Sequence, residues 1–305
     1  MCDTVLAFGE NDSSYLECPT RMAFDNLPAD VQGQLSNGVV AETYSMALGP
    51  NGSYVWCYKH KTTGKTMMAT NGIPDSLKEW IWKKDAGGAF ERTFQKIRVN
   101  LHPNGTSFYA VDGVAHQWKG LQDPLSAELT GLIKDGQFTD TPRIVTFGAG
   151  ADYLVITHGG KGFWRLNGHR ELREVLDQWR KEGVLGRITN LALSPFKPEV
   201  SAILVETGLL IVSGLPDRTK QPVDLLVEAT KADTARIQEQ REQAEYEQAA
   251  AKIRSNQRKI DLLNMATAQA DAQTRWNMES SAFMGSIGTR CNRCYGPYCT
   301  CSYRY

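Results

Sequence analysis

The sequence predicts a mainly β protein: five related units, each of three strands and a short helix, over residues 1–222, then a long helical extension over 223–280 and a cysteine-rich tail over 281–305. Three observations predict this. A short strand, a turn and a second strand opening with Ser or Tyr recur as LAFGENDSSYLEC, MALGPNGSYVWCY, VNLHPNGTSFYAV and VTFGAGADYLVIT, with a more divergent fifth copy, LALSPFKPEVSAILV. Each copy ends alike, in a third apolar strand, a small turn and an amphipathic segment. Beyond Pro222, as far as about Glu279, the chain contains neither Pro nor Gly and is rich in good helix formers.

The copies are anchored on Phe8, Leu48, Leu101, Phe147 and Leu193, which lie 40, 53, 46 and 46 residues apart. Periods of this length fit one supersecondary unit each. Asn51-Gly52 and Asn104-Gly105 predict tight two-residue turns between the first two strands, because both residue types tolerate positive φ. The third strand places Phe24, Trp118 and Trp164 at 16 or 17 residues beyond their anchors, with Val212 and, by the loosest alignment, Thr70 as their counterparts. Pro28, Pro74 and Pro124 then suit a first helical turn, with Asp75, Asp123 and Asn167 as caps or first-turn acids. Leu125, Leu129, Leu132 and Ile133 fall at helical spacing in one unit, as do Leu172, Val175, Leu176 and Trp179 in another, so one face packs on a sheet.

Three strands and one helix of this size cannot bury their apolar faces alone, so the units must stack. The stack closes into a five-bladed propeller-like ring or runs on as an open ββ(β)α solenoid. Val5 to Phe8 already reads as a full unit strand, and neither end carries a polar capping variant, which favours the ring. Three strands per unit, where propeller blades usually have four, favour the solenoid.

The units resemble tandem-repeat proteins of filamentous fungi, in which a phrase like GPNGSY is followed by a tryptophan strand and a GLP helix start. GPNGSYVW (49–56), HPNGTSFY (102–109), HQWKGL (116–121) and VSGLP (212–216) carry the likeness, which spans about residues 5–230. The resemblance implies a propeller-like repeat fold with a binding or scaffolding role.

In the extension, Ala235, Ile237, Ala244 and Tyr246 are too sparse for a sustained coiled-coil seam, and Ile253, Ile260, Leu263 and Ala270 form only a thin stripe. It reads as a solvated helix whose stripe docks on the repeats or pairs weakly with a second chain. The tail carries Cys291, Cys294, Cys299 and Cys301 in the spacing C-x2-C-x4-C-x-C. Four convergent thiolates make a zinc set, so zinc is the candidate cofactor and these four are its candidate ligands. Arg290, Arg293 and Arg304 would lower the thiol pKa values and suit either metal binding or S-acylation, which would hold the tail at a membrane. A reactive tail with neither fate is the third reading.

Thirty-four Lys and Arg balance 34 Asp and Glu, a neutrality that argues against a nucleic-acid partner. The longest apolar run, Val200 to Val212, is broken by Glu206 and is too short to span a bilayer. The opening MCDTVLAFGEND has no secretory pattern, so the expected location is cytoplasmic, with the nucleus also open. Seven cysteines, an odd number, do not form a disulfide framework, and Cys18 and Cys57 sit in strand contexts as small hydrophobes.

Catalytic motifs are missing. His60, His102, His116, His158 and His169 make no i, i+4 metal pair, and THGGKGFW (157–164) lacks phosphate-loop spacing. The expectation is a non-enzymatic binding or scaffold protein acting through the surface of the repeats on a protein partner. A carbohydrate- or small-ligand-binding propeller using Trp118, Trp164 and Phe24 is one alternative, and an unrecognised enzyme of a secondary pathway is another. Two tryptophans in five equivalent positions favour core packing over a sugar platform.

Overall fold

The computed structural model describes residues 3–287, with side chains through 282. The chain divides between Glu239 and Gln240 into two compact units. The larger holds all the strands of the described residues. Its first repeat is β1 (Val5–Phe8), β2 (Ser14–Cys18), β3 (Arg21–Asp25) and α1 (Ala29–Ser36). The second is β4 (Val40–Leu48), β5 (Tyr54–His60), β6 (Thr66–Asn71) and α2 (Asp75–Ile81). The third is β7 (Arg98–Leu101), β8 (Phe108–Val111), β9 (His116–Lys119) and α3 (Asp123–Gly131), with a small ribbon of β10 (Ile133–Lys134) and β11 (Gln137–Phe138). The fourth is β12 (Pro142–Phe147), β13 (Tyr153–Thr157), β14 (Gly162–Arg165) and α4 (Arg170–Glu182). The fifth is β15 (Ile188–Leu193), β16 (Ser201–Val205) and β17 (Leu210–Ser213), followed by α5 (Asp217–Ile287). Each repeat forms one three-stranded antiparallel sheet in sequence order. The architecture is therefore mixed rather than mainly β, since α5 alone takes 71 residues.

The repeats share one register. Phe8, Leu48, Leu101, Phe147 and Leu193 each pair with the first residue of the second strand: Ser14, Tyr54, Phe108, Tyr153 and Ser201. One residue on, the backbone N–H groups of Gly9, Gly49, His102, Gly148 and Ser194 donate to the carbonyls of Ser13, Ser53, Ser107, Asp152 and Val200 at 2.7 to 3.0 Å. The loops closed by these bonds are longer than the two-residue turns expected. Pro50 and Pro103 precede the Asn-Gly pairs, and a proline without an N–H cannot close the ladder. Asn51 (φ 55°) and Gly52 (φ 69°) are both left-handed, whereas in the third repeat only Gly105 (φ 72°) of the pair is.

Helices begin where the sequence places them. Pro28 and Pro74 take the position before the first turn of α1 and α2, Pro124 lies within the first turn of α3, and Asp75 and Asp123 are first-turn acids. Asn167 is not a cap; His169 occupies that position before α4. The division expected at 222 falls inside α5, with Pro222 in its second turn. One lost backbone hydrogen bond is outweighed because the next turns bury Val223, Leu226 and Thr230.

Five hydrophobic clusters make the core of the described residues, and four of them join consecutive repeats. Repeats one and two share Tyr15, Val31, Leu48 and Trp56, and two and three share Val55, Leu77, Ile81 and Phe108. Three and four share Tyr109, Leu129, Phe147 and Val155, and four and five share Leu154, Leu176, Leu191 and Ile203. The fifth cluster joins Ala202, Leu204 and Leu210 of repeat five to Leu6, Leu16 and Cys18 of repeat one, with Leu226 of α5 among them. Thus α1 to α4 each fill the junction with the following repeat, and the first turns of α5 do so for repeats five and one. The first strands neighbour one another accordingly: β1 lies against β4 and β15, β7 against β4 and β12, and β12 against β15.

Candidate functional site

Because the first strands converge, their residues line a common hollow. At one end the anchors Phe8, Leu48, Leu101, Phe147 and Leu193 crowd together around a void of about 30 Å³. The residue before each anchor is small or polar (Ala7, Ala47, Asn100, Thr146 and Ala192) and also lines that void. Narrow side chains let five strands approach this closely, and they are tied there: the Leu193 N–H donates to Thr146 Oγ1 at 3.1 Å.

Toward the strand starts the hollow widens to a cavity of about 290 Å³. Every repeat contributes to its wall, through Thr4, Tyr44, Arg98, Arg143 and Asn190 among others. Asn190 Nδ2 donates to the Thr4 carbonyl at 2.9 Å, joining the fifth repeat to the first. Arg98 is reached by water yet walled by protein, and this enclosure lowers its pKa from the ordinary guanidinium value; the Cys57 thiol and Asp3 act in the opposite direction. Arg98 Nη1 is held by the carbonyls of Gln95 and Ile97, both at 2.9 Å. Burial likewise lowers the pKa of Arg143, which is half-buried. Two guanidinium groups in a semi-enclosed hollow are forked donors suited to a carboxylate or phosphate. Burial pushes the Cys57 thiol up to about 12, so it remains protonated.

A second polar cluster is structural. Asp152 accepts hydrogen bonds from the Asn167 N–H at 2.8 Å and the Gly168 N–H at 2.7 Å, and its Oδ2 lies 3.2 Å from His169 Nδ1. Asp152 holds the place taken by Ser13, Ser53 and Ser107 in other repeats; Ser107 ties the corresponding turn with a bond of the opposite direction, its Oγ donating to the Gly120 carbonyl at 2.6 Å. In the third and fourth repeats this position clamps the turn after the third strand.

Phe24, Trp118 and Trp164 occupy one rung, paired with Tyr15, Tyr109 and Leu154, as Thr70 pairs with Val55 and Val212 with Ala202. They lie in three different clusters, so the structure does not bring them together. Trp118 stacks on Tyr109 with centroids 6.4 Å apart, and the Arg180 guanidinium sits 3.5 Å over the Trp164 ring. Cys291, Cys294, Cys299 and Cys301 lie outside the described residues. Among the described residues, no three His, Cys, Asp or Glu side chains are placed to hold a metal ion, and no helix is long and apolar enough to cross a membrane.

Arg98, Arg143 and Asn190 escape a reading of the sequence alone because they share no residue type. Their common feature is position, three or four residues before an anchor. No family model, curated protein or solved structure matches the chain.

Proposed function

We propose that the five repeats close into a five-bladed ring, and that the protein is a non-enzymatic binding protein whose central cavity takes an acidic group. The ring reading is supported by the count of junctions. Five hydrophobic clusters join five repeats, whereas an open solenoid of five has four. In each junction residues of a helix join the strand residues of the cluster. Slow amide exchange in β1 and β15, matching β4, β7 and β12, is the expected outcome; two fraying terminal sheets would refute closure.

The binding reading rests on one observation: all five repeats line a single hollow that carries Arg98 and Arg143. Its volume of about 290 Å³ is at the low end for ligand pockets, so it fits a small acid or the acidic end of a partner's peptide rather than a folded domain. The likeness of the repeats to fungal tandem-repeat proteins is consistent with this role. The test is native purification with mass spectrometry, for the wild-type protein and for Arg98→Ala and Arg143→Ala variants. A retained ligand or partner that is lost from both variants is expected. One retained equally by all three proteins would refute the cavity as its seat.

A further inference from the structure

Each first strand is an edge of its own sheet, because the sheet orders run β1-β2-β3, β4-β5-β6, β7-β8-β9, β12-β13-β14 and β15-β16-β17. An edge strand carries main-chain N–H and C=O groups that no ladder pairs. The hollow is where these edges meet. Leu6, Met46, Val99, Ile144 and Leu191 line its wall, yet their side chains are buried in the junction clusters. What they turn to the cavity is therefore backbone, and the wall is polar despite its apolar residues.

In β4, β12 and β15 the register breaks beside the cavity. Tyr44 stands unpaired between the Thr43–Tyr58 and Ser45–Cys57 pairs, Arg143 between Pro142–Thr157 and Ile144–Ile156, and Thr189 between Ile188–Val205 and Asn190–Leu204. Tyr44, Arg143 and Thr189 all line the hollow. A bulge inserts one residue and re-aims its side chain while it interrupts the ladder. The same device used in three repeats, each time at the cavity, marks the hollow as a built site. Arg98 is fixed differently, by the carbonyls of Gln95 and Ile97 that hold its guanidinium. Asp3 lies on the same wall and its charge acts on Arg98, so Arg98, Arg143 and Asp3 together leave one positive charge.

We propose that the cavity binds a small hydroxylated monocarboxylate, with its carboxylate on Arg98 and Arg143 and its hydroxyl groups on the strand edges. This rests on the acid-binding reading of the hollow and names the class of acid. One carboxylate balances the one positive charge, whereas a phosphate monoester brings about 1.5 to 2 negative charges. A hydroxyl group both donates and accepts, so it serves the edge N–H and C=O groups alike. An aliphatic body would displace their water and leave them unpaired. The volume of about 290 Å³ keeps the acid small.

Titration of the full-length protein, followed by ligand-observed nuclear magnetic resonance, tests this with four probes. Gluconate is compared with hexanoate, which has the same carbon chain without the hydroxyl groups, with glucose, which lacks the carboxylate, and with glucose 6-phosphate. Gluconate is expected to bind about tenfold or more tighter than each of the others. Arg98→Ala and Arg143→Ala should each weaken it by about tenfold or more, and Arg143→Lys, which keeps the charge and loses the fork, by less. The ranking of probes is read on the wild-type chain, so it stands even where a variant fails to fold. Hexanoate bound as tightly as gluconate, or glucose 6-phosphate bound more tightly, overturns the hydroxy-acid proposal and leaves the acid-binding cavity standing. Glucose bound as tightly as gluconate, gluconate binding unaltered in both alanine variants, or no binding by any of the four overturns both.

Discussion

Leu226→Ala measures how far α5 belongs to the repeat unit. Leu226 is 1% exposed and lies in the cluster that joins repeat five to repeat one through Leu6, Leu16, Leu204 and Leu210. Truncating a fully buried leucine removes its transfer free energy and leaves a cavity that the surroundings only partly fill, a loss of about 2–5 kcal/mol. For a compact unit of this size each kcal/mol moves the melting temperature by about 2–4 °C, so a mid-range loss of about 3 kcal/mol lowers it by about 6–12 °C. The control is Leu262→Ala, at 66% exposure, for which a change within about 0.5 kcal/mol is expected. Thermal unfolding followed by tryptophan fluorescence reads the repeat unit directly, because Trp56 and Trp80 are buried there. A Leu226→Ala shift no larger than that of Leu262→Ala would refute the reasoning, and α5 would then be an appendage along its whole length.

Asp233 accepts from the Thr20 N–H at 3.1 Å and Thr20 Oγ1 at 2.9 Å, so Asp233→Ala should cost about 1–3 kcal/mol in urea unfolding, with Asp233→Asn milder. Enclosure lowers the pKa values of His102 and His116. The unfolded chain then binds protons that the folded one resists, so stability held above the ordinary imidazole range is lost as pH falls through it. Replacing both histidines by Gln should flatten the pH dependence of the urea midpoint; an unchanged slope would exclude them as its source. With its thiol pushed up to about 12 and fully buried, Cys57 should resist alkylation at mildly alkaline pH until the protein is denatured, as peptide mass mapping would report.

The sequence alone determined the repeat, because its signals are local. An apolar anchor, a loop that needs left-handed residues, a small residue ahead of the second strand and a proline at the helix start each reflect sterics within a few residues. These signals are why Phe24, Thr70, Trp118, Trp164 and Val212 fall on one rung despite their different chemistry. Proline at 222 misled for the same reason: it is a sound local stop, overridden by burial of Val223 and Leu226 against distant strands. Only the tertiary structure decided which strand of each repeat turns inward, and therefore that Arg98, Arg143 and Asn190 share a cavity with Thr4. Strand alternation names two faces but cannot say which one meets the other repeats. The missing polar caps hinted that the end repeats are covered, but not by which residues: the hydrogen bond from Asn190 to Thr4 and those from Thr20 to Asp233 of α5 join positions far apart in the chain. Such contacts depend on how distant segments pack together, a property no single repeat encodes.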